Sequence, residues 1–194
     1  MSGELVGRNA LVLGVERPAG RRAAVALAEA GADVAVVTLS PDTQAEFAAN
    51  STANEFWALG RKGLALTSDG REPSLQQALA AATTELGPIG ILVWHAPHSI
   101  PRIAGLRSDP VVIVLVADDH ALEGNRALLD WTKDLAEEGL RANAIIVSTA
   151  LAEALGPVPA LDRPAGTMTL AAAVAWLASD ASAAIEGAAV VAEG

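Results

Sequence analysis

The sequence contains no cysteine and no tyrosine. The first absence excludes disulfides, thiolate metal sites, iron–sulfur clusters and thiol nucleophiles. The second excludes any reaction in which a phenol carries the proton. Aromatic residues amount to 3% of the 194. Basic residues are also scarce, 13 against 23 acidic, leaving a formal charge of −10. A surface of that sign repels a phosphate backbone, so nucleic acid is not an expected partner. The aliphatic run from Val111 to Ala117 falls far short of the ~20 residues that cross a bilayer. The first residues, Met1-Ser2-Gly3-Glu4, show no basic stretch leading into an apolar one, so the expectation is a cytoplasmic chain without membrane association.

What the sequence has in abundance is alanine, roughly a fifth of the chain, well above ordinary usage. Short aliphatic runs alternate with alanine-rich helical stretches, the pattern of repeated βαβ units around a parallel sheet. Strands are expected at Ala10–Leu13, Asp33–Val37, Gly63–Leu66, Ile89–Trp94, Val111–Ala117, Arg141–Val147 and Ala188–Val191. Helices are expected at Ala19–Ala30, about Asp42–Leu59, Pro73–Leu86, Leu122–Glu138 and Leu170–Ser179, with Gly139 ending the fourth in a left-handed cap. Leu151 to Gly166 carries Pro157, Pro159 and Pro164 and is expected as a loop over the sheet. Nothing suggests a linker or a repeat, so residues 1–194 form one domain.

One connection departs from the pattern. His95 to Pro110 contains Pro97, Pro101 and Pro110, and a parallel crossover needs a dozen or more residues, usually with a helix. The length suffices, but the prolines oppose a full helix. The helix between strands four and five is therefore expected to be missing or reduced.

After the first strand, Gly14-Val15-Glu16-Arg17-Pro18-Ala19-Gly20 opens directly into a helix. A glycine turn at a helix N-terminus sets backbone N–H groups against a pyrophosphate. The segment resembles the T-G-x-x-x-G-x-G loop of the short-chain dehydrogenase/reductase family. Gly14 and Gly20 match the first and third glycines and Arg17 the arginine that often precedes the second. Pro18 stands in place of that second glycine and Leu13 in place of the threonine. Proline brings no N–H and adds bulk where a cofactor would approach.

The resemblance extends over nearly the whole chain. Gly31-Ala32-Asp33-Val34 matches the entry to the second strand, at whose end Thr38 stands where NAD-binding members carry an acid. Asp69 matches the aspartate that contacts adenine. Ile91-Leu92-Val93-Trp94-His95-Ala96-Pro97 resembles I-L-V-N-N-A-G with both asparagines and the glycine replaced. Ala127 to Lys133 and Gly139 to Ile145 resemble K-A-A-L-x-G-L-T-K and G-I-R-V-N-A-I. In the family this helix carries Y-x-x-x-K, whose tyrosine is the acid/base and whose lysine lowers the tyrosine pKa and holds the nicotinamide ribose. Counting back places Ala121 at the tyrosine and Asn125 at the lysine. Ala172-Ala173-Val174-Ala175-Trp176-Leu177-Ala178-Ser179-Asp180-Ala181-Ser182, with Gly187, is similar to the family's A-V-x-F-L-A-S-D-x-A-S-x-x-x-G ending.

The resemblance implies a doubly wound parallel α/β sheet of Rossmann type and, for any cofactor, NAD(P). The cofactor-binding candidates are Gly14, Arg17, Gly20 and Asp69, as vestiges of that site. With tyrosine and lysine replaced, no catalytic residue and no bound cofactor are expected. The function implied is a non-catalytic subunit that supports or regulates an active dehydrogenase of the family. The partner face is the Leu170–Val191 helix and strand, which in the family forms a symmetric interface; a homodimer is the alternative. Two other readings compete. Asp118-Asp119-His120, after the fifth strand, offers an imidazole beside carboxylates for a nonstandard oxidoreductase, although a solvated loop capping the next helix explains it too. The old crevice, without chemistry, offers a binding module for a nucleotide or small ligand. His95 and His98 are spaced too awkwardly around Pro97 to suggest a metal site.

Overall fold

The computed structural model describes residues 3–96, 106–117, 121–155 and 168–193. Its centre is a sheet of eight strands: β1 (Asn9–Leu13), β2 (Asp33–Thr38), β3 (Gly63–Thr67), β4 (Ile89–Trp94), β5 (Leu106–Val116), β6 (Arg141–Ile146), β7 (Met168–Thr169) and β8 (Ala189–Glu193). They lie in the order β3-β2-β1-β4-β5-β6-β8-β7, and every pairing is parallel. The order reverses at β1, with β2 on one side and β4 on the other, which makes the carboxyl ends of these strands the switch-point crevice.

Helices cover both faces, which is why the central strands are continuous aliphatic runs rather than alternating ones. On one face α1 (Pro18–Glu29), α2 (Thr43–Ala58) and α6 (Leu170–Ala178) bury Leu27, Phe56, Leu170 and Val174 against Val12, Val36, Val93 and Ile113. On the other, α3 (Glu72–Leu86), α4 (Leu122–Glu137) and α5 (Thr149–Leu155) bury Leu79, Leu128 and Leu155 against Leu13, Val37, Leu92 and Val114. The alanines are the price of close helix packing: Ala23, Ala24 and Ala28 of α1 and Ala173 and Ala178 of α6 share one buried cluster. Gly139 has φ +86 and closes α4 as expected.

The fold is the doubly wound parallel sheet that the sequence implies; the expected reduction of the helix between β4 and β5 falls on residues 97–105, outside the described residues. Beyond shifts of one or two residues at element ends, three features differ. β5 begins at Leu106, not Val111, and its start is bulged, with Arg107, Ser108 and Asp109 exposed: Ile89 pairs with Leu106 but Ile91 with Val111. A bulge tolerates Pro110, whose missing N–H would break a regular ladder. Thr149–Leu155 is a helix, α5, rather than part of a loop; Leu151 and Leu155, one turn apart, are both buried, and the Ser148 hydroxyl accepts the Leu151 N–H at 3.0 Å. β7 adds an eighth strand to the expected seven, too short to leave a periodicity. Pro97, Pro101, Pro157, Pro159 and Pro164 lie outside the described residues.

Candidate functional site

The glycine turn is built by packing. Gly14, at φ +78, donates its N–H to the Val37 carbonyl at 2.9 Å, and Val15 donates to the same oxygen at 3.4 Å, so the turn sits on the end of β2. A side chain at Gly14 would lie 2.2 Å from the His95 carbonyl oxygen, and one at Gly20 would lie 2.3 Å from the Gly14 oxygen. Both positions therefore require glycine for close approach. Arg17 is the extended N-cap of α1 and offers no side-chain cap, and Pro18 follows inside the helix start. Proline suits that place sterically but contributes no N–H to an anion.

An ion pair flanks this turn. Arg21 pairs with Glu55 of α2. Arg17, Arg21 and Arg22 line a cavity of about 680 Å³ on the outer flank of α1, together with Glu16, Glu55 and Leu170. The turn carries one further acid, which the sequence reading passed over. The Glu16 carboxylate accepts the Leu39 N–H through both oxygens, at 3.2 and 3.3 Å, directly after β2. Thr38, where an acid was sought, is fully buried and donates its hydroxyl to the Ser40 carbonyl at 3.0 Å. Only the folded turn shows that Glu16 reaches the end of β2 from another strand's loop.

Asp69 lies beyond β3 and closes the entry to α3. Its Oδ1 accepts the Arg71 N–H at 3.0 Å, its Oδ2 faces the Arg71 guanidinium at 3.2 Å, and its own N–H donates to the Ser74 hydroxyl at 3.3 Å. Gly14, Gly20 and His95 are thus in contact, while Asp69 is turned toward the start of α3. Trp94 is 1% exposed and meets Trp131 edge to face with ring centroids 5.2 Å apart, so both act as core anchors.

The far end of the crevice is where hydride chemistry would need its proton donor. Ala121 precedes α4 and is exposed, and Asn125, in the first turn, is fully buried and donates its amide to the Ala117 carbonyl at 3.0 Å. That bond ties α4 to the end of β5. It supplies neither an acid/base group nor a cation to hold a ribose. Asp118, Asp119, His120 and His98 lie outside the described residues, and among the described residues no cluster could hold a metal ion.

These residues fit a nicotinamide dinucleotide at one end only. The adenosine end offers the Glu16 carboxylate, an acceptor suited to ribose hydroxyls. Pro18 brings no N–H to the glycine turn, and Ala121 and Asn125, which the resemblance aligns with the tyrosine and lysine, offer neither an acid/base group nor a cation. No hydride step follows from this set.

No protein family model matches the chain. Over 163 residues it is 32% identical to the uncharacterized oxidoreductase YhxD of Bacillus subtilis (strain 168), covering 82% of this chain and 51% of that protein. The chain thus spans about half the length of this curated relative. Among solved structures it is similar to a blue fluorescent protein from a metagenomic library in complex with NADPH, with TM-score 0.76, 21% identity and 98% of each chain covered. It is also similar to a short chain dehydrogenase from Mycobacterium paratuberculosis bound to NAD, with TM-score 0.73, 18% identity and coverage of 98% of this chain and 97% of that one. The chain has the short-chain dehydrogenase/reductase fold, and its resemblance to that family holds in both sequence and architecture.

Proposed function

We propose that this chain is a non-catalytic subunit of short-chain dehydrogenase type, which supports or regulates an active dehydrogenase in a hetero-oligomer. The observation that carries this reading is the start of α4. Ala121 and Asn125, at the start of this helix, are the residues that the resemblance aligns with the acid/base tyrosine and its lysine. Asn125 is spent on the Ala117 carbonyl, and no tyrosine exists elsewhere to take over. Loss of the group that moves the proton removes the general acid–base contribution altogether.

The proposed partner face is the Leu170–Val191 segment. Every residue of α6 is apolar, a composition expected of a helix covered on all sides. Yet Ala171 and Ala172 are exposed and Ala175 and Trp176 half-exposed. Beside them, β8 pairs with β7 only at Ala192 and Glu193, so Ala189–Val191 have no strand on their outer side among the described residues. A surface that pairs isologously in a homo-oligomer can also seat a related chain. A second copy of this chain is the competing occupant.

Two measurements test the reading. The purified chain, given NADH or NADPH and a panel of aldehydes and ketones, is expected to turn over none of them; saturable carbonyl reduction that tracks the pure protein overturns it. Co-expression with dehydrogenases of the same fold from its source is expected to yield a stable mixed complex, which Trp176→Glu disrupts.

A further inference from the structure

At the end of the sheet opposite α6 and β8, β3 pairs with β2 alone among the described residues. We infer that two copies of this chain associate there, β3 against β3 and antiparallel, so that their sheets run on as one. This edge is remote from the proposed partner face, and the inference stands or falls separately from the subunit reading.

The hydrogen bonding of β3 fixes which groups are on offer. The Val34 N–H donates to the Lys62 carbonyl at 3.0 Å, and the Ser68 N–H donates to the Thr38 carbonyl at 3.1 Å. By the two-residue period, Lys62, Leu64, Leu66 and Ser68 turn their backbone groups to β2, and Gly63, Ala65 and Thr67 turn theirs outward. An open row of this kind templates another strand, and proteins blunt it with charges, proline or a bulge. Gly63-Leu64-Ala65-Leu66-Thr67 carries no charge and no proline, and it pairs with β2 without a register shift. Leu64 and Leu66 are half-exposed along it. Beside Gly63 lies a cavity of about 610 Å³, walled by Trp57 of α2, by Arg61 and Lys62, and by Glu85 and Leu86 of α3. Trp57 is 64% exposed, one of the few aromatic side chains in the sequence and left largely in water.

The occupant that fits is the same edge of a second copy. With a two-fold axis at Ala65, Ala65 exchanges both backbone hydrogen bonds with its counterpart and Gly63 does so with Thr67, so every outward group of the strand is bonded. Centring the axis on Gly63 or Thr67 instead leaves outward groups of the strand unpaired. The same register sets Leu64 opposite Leu66 and Arg61 opposite Asp69, apolar against apolar and cation against carboxylate. Arg61 is already held by its bonds to the Gly31 and Gly60 carbonyls, both at 2.9 Å, so its charge is in place before the second copy arrives. The Thr67–Asp69 segment of each copy then runs along the cavity under Trp57 of the other. An unrelated extended segment would satisfy the backbone but not these side-chain pairs.

Sedimentation equilibrium of the full chain tests the inference. Wild type is expected to form a dimer at micromolar concentration. Ala65→Pro removes an outward N–H that the single chain does not use, on the side where a strand edge tolerates proline, and is expected to weaken the dimer at least tenfold with the far-ultraviolet circular dichroism unchanged. Thr67→Lys, at an exposed position, is expected to do the same by setting a lysine beside Arg61 and Lys62 of the second copy. Because the sequence has no cysteine, Ala65→Cys reports the register. A hydrogen-bonded pair on the axis has Cα atoms about 5.5 Å apart, within disulfide reach, so copper phenanthroline is expected to cross-link this variant and to leave Val6→Cys, exposed elsewhere, single. A wild type that stays single at high micromolar concentration, a dimer indifferent to both Ala65→Pro and Thr67→Lys, a dimer dissociated by Trp176→Glu, or a dimeric Ala65→Cys that does not cross-link each overturn the inference.

Discussion

Arg141 opens β6 and holds the end of the proposed partner face in place. Its Nη2 donates to the carbonyls of Leu177 and Ser179, both at 2.6 Å, and to the Ser182 hydroxyl at 3.2 Å. These acceptors lie where α6 ends and the 3₁₀ turn Asp180–Ser182 begins, so a cation meets orphan carbonyls at the negative end of a helix. Burial, and then the nearby Arg8, push the Arg141 pKa down, but a guanidinium stays charged throughout the working pH range. A hydrogen bond from a charged donor contributes ~1.5–3 kcal/mol, and in a half-buried site water replaces part of it. Arg141→Met is therefore expected to cost about 3 kcal/mol, with Arg141→Lys losing roughly half as much because an ammonium keeps the charge but not the planar fork. For a chain of this size that corresponds to a Tm lower by ~6–12 °C for the methionine variant. Urea denaturation followed by circular dichroism measures both. The reasoning is refuted if both variants lie within ~0.5 kcal/mol of wild type, the range of an uninvolved surface site.

Other consequences are as direct. Trp94→Ala removes a side chain that is 1% exposed and its edge-to-face partner contact with Trp131, and is expected to cost ~3–5 kcal/mol in the same denaturation assay. Gly20→Ala drives a methyl to 2.3 Å from the Gly14 oxygen and should destabilise by ~1–3 kcal/mol or prevent folding, a loss visible as a lower melting temperature. Asp42 caps α2, and its carboxyl is held below the usual range by the Ser40 hydroxyl first and the Ala45 N–H second. A lowered folded-state pKa means that this stabilisation is present above about pH 4 and fades as pH falls through the depressed value. Asp42→Asn should therefore lower stability at neutral pH, converge on wild type in acid and so flatten the acid limb of the stability–pH curve.

Most of the architecture was legible because the aliphatic runs of β1, β2, β4 and β6 admit no other period, and because Gly14 and Gly139 mark the turns that φ demands. The bulged start of β5 escaped notice since Arg107, Ser108 and Asp109 are exposed and Pro110 resembles a breaker. α5 was hidden by the prolines that follow it, which outweighed the Leu151–Leu155 spacing. The absence of tyrosine was legible in the composition, and what it means for the site rests on the resemblance to the dehydrogenase family. Glu16 was not legible, because its role depends on a turn from β1 reaching the backbone after β2, a contact between residues 23 apart. Asp69 matched by position, but the Arg71 N–H and guanidinium engage both its oxygens, which only side-chain geometry reveals.

The central claim is that this chain serves as a partner rather than a catalyst. Native mass spectrometry of the complex purified from its source through a tag on this chain tests it most directly. The account predicts a defined hetero-oligomer that contains a dehydrogenase of the same fold with an intact tyrosine–lysine pair, and dissociates when Trp176 is replaced by glutamate. A monomer that alone oxidises NADH or NADPH with a carbonyl substrate contradicts it.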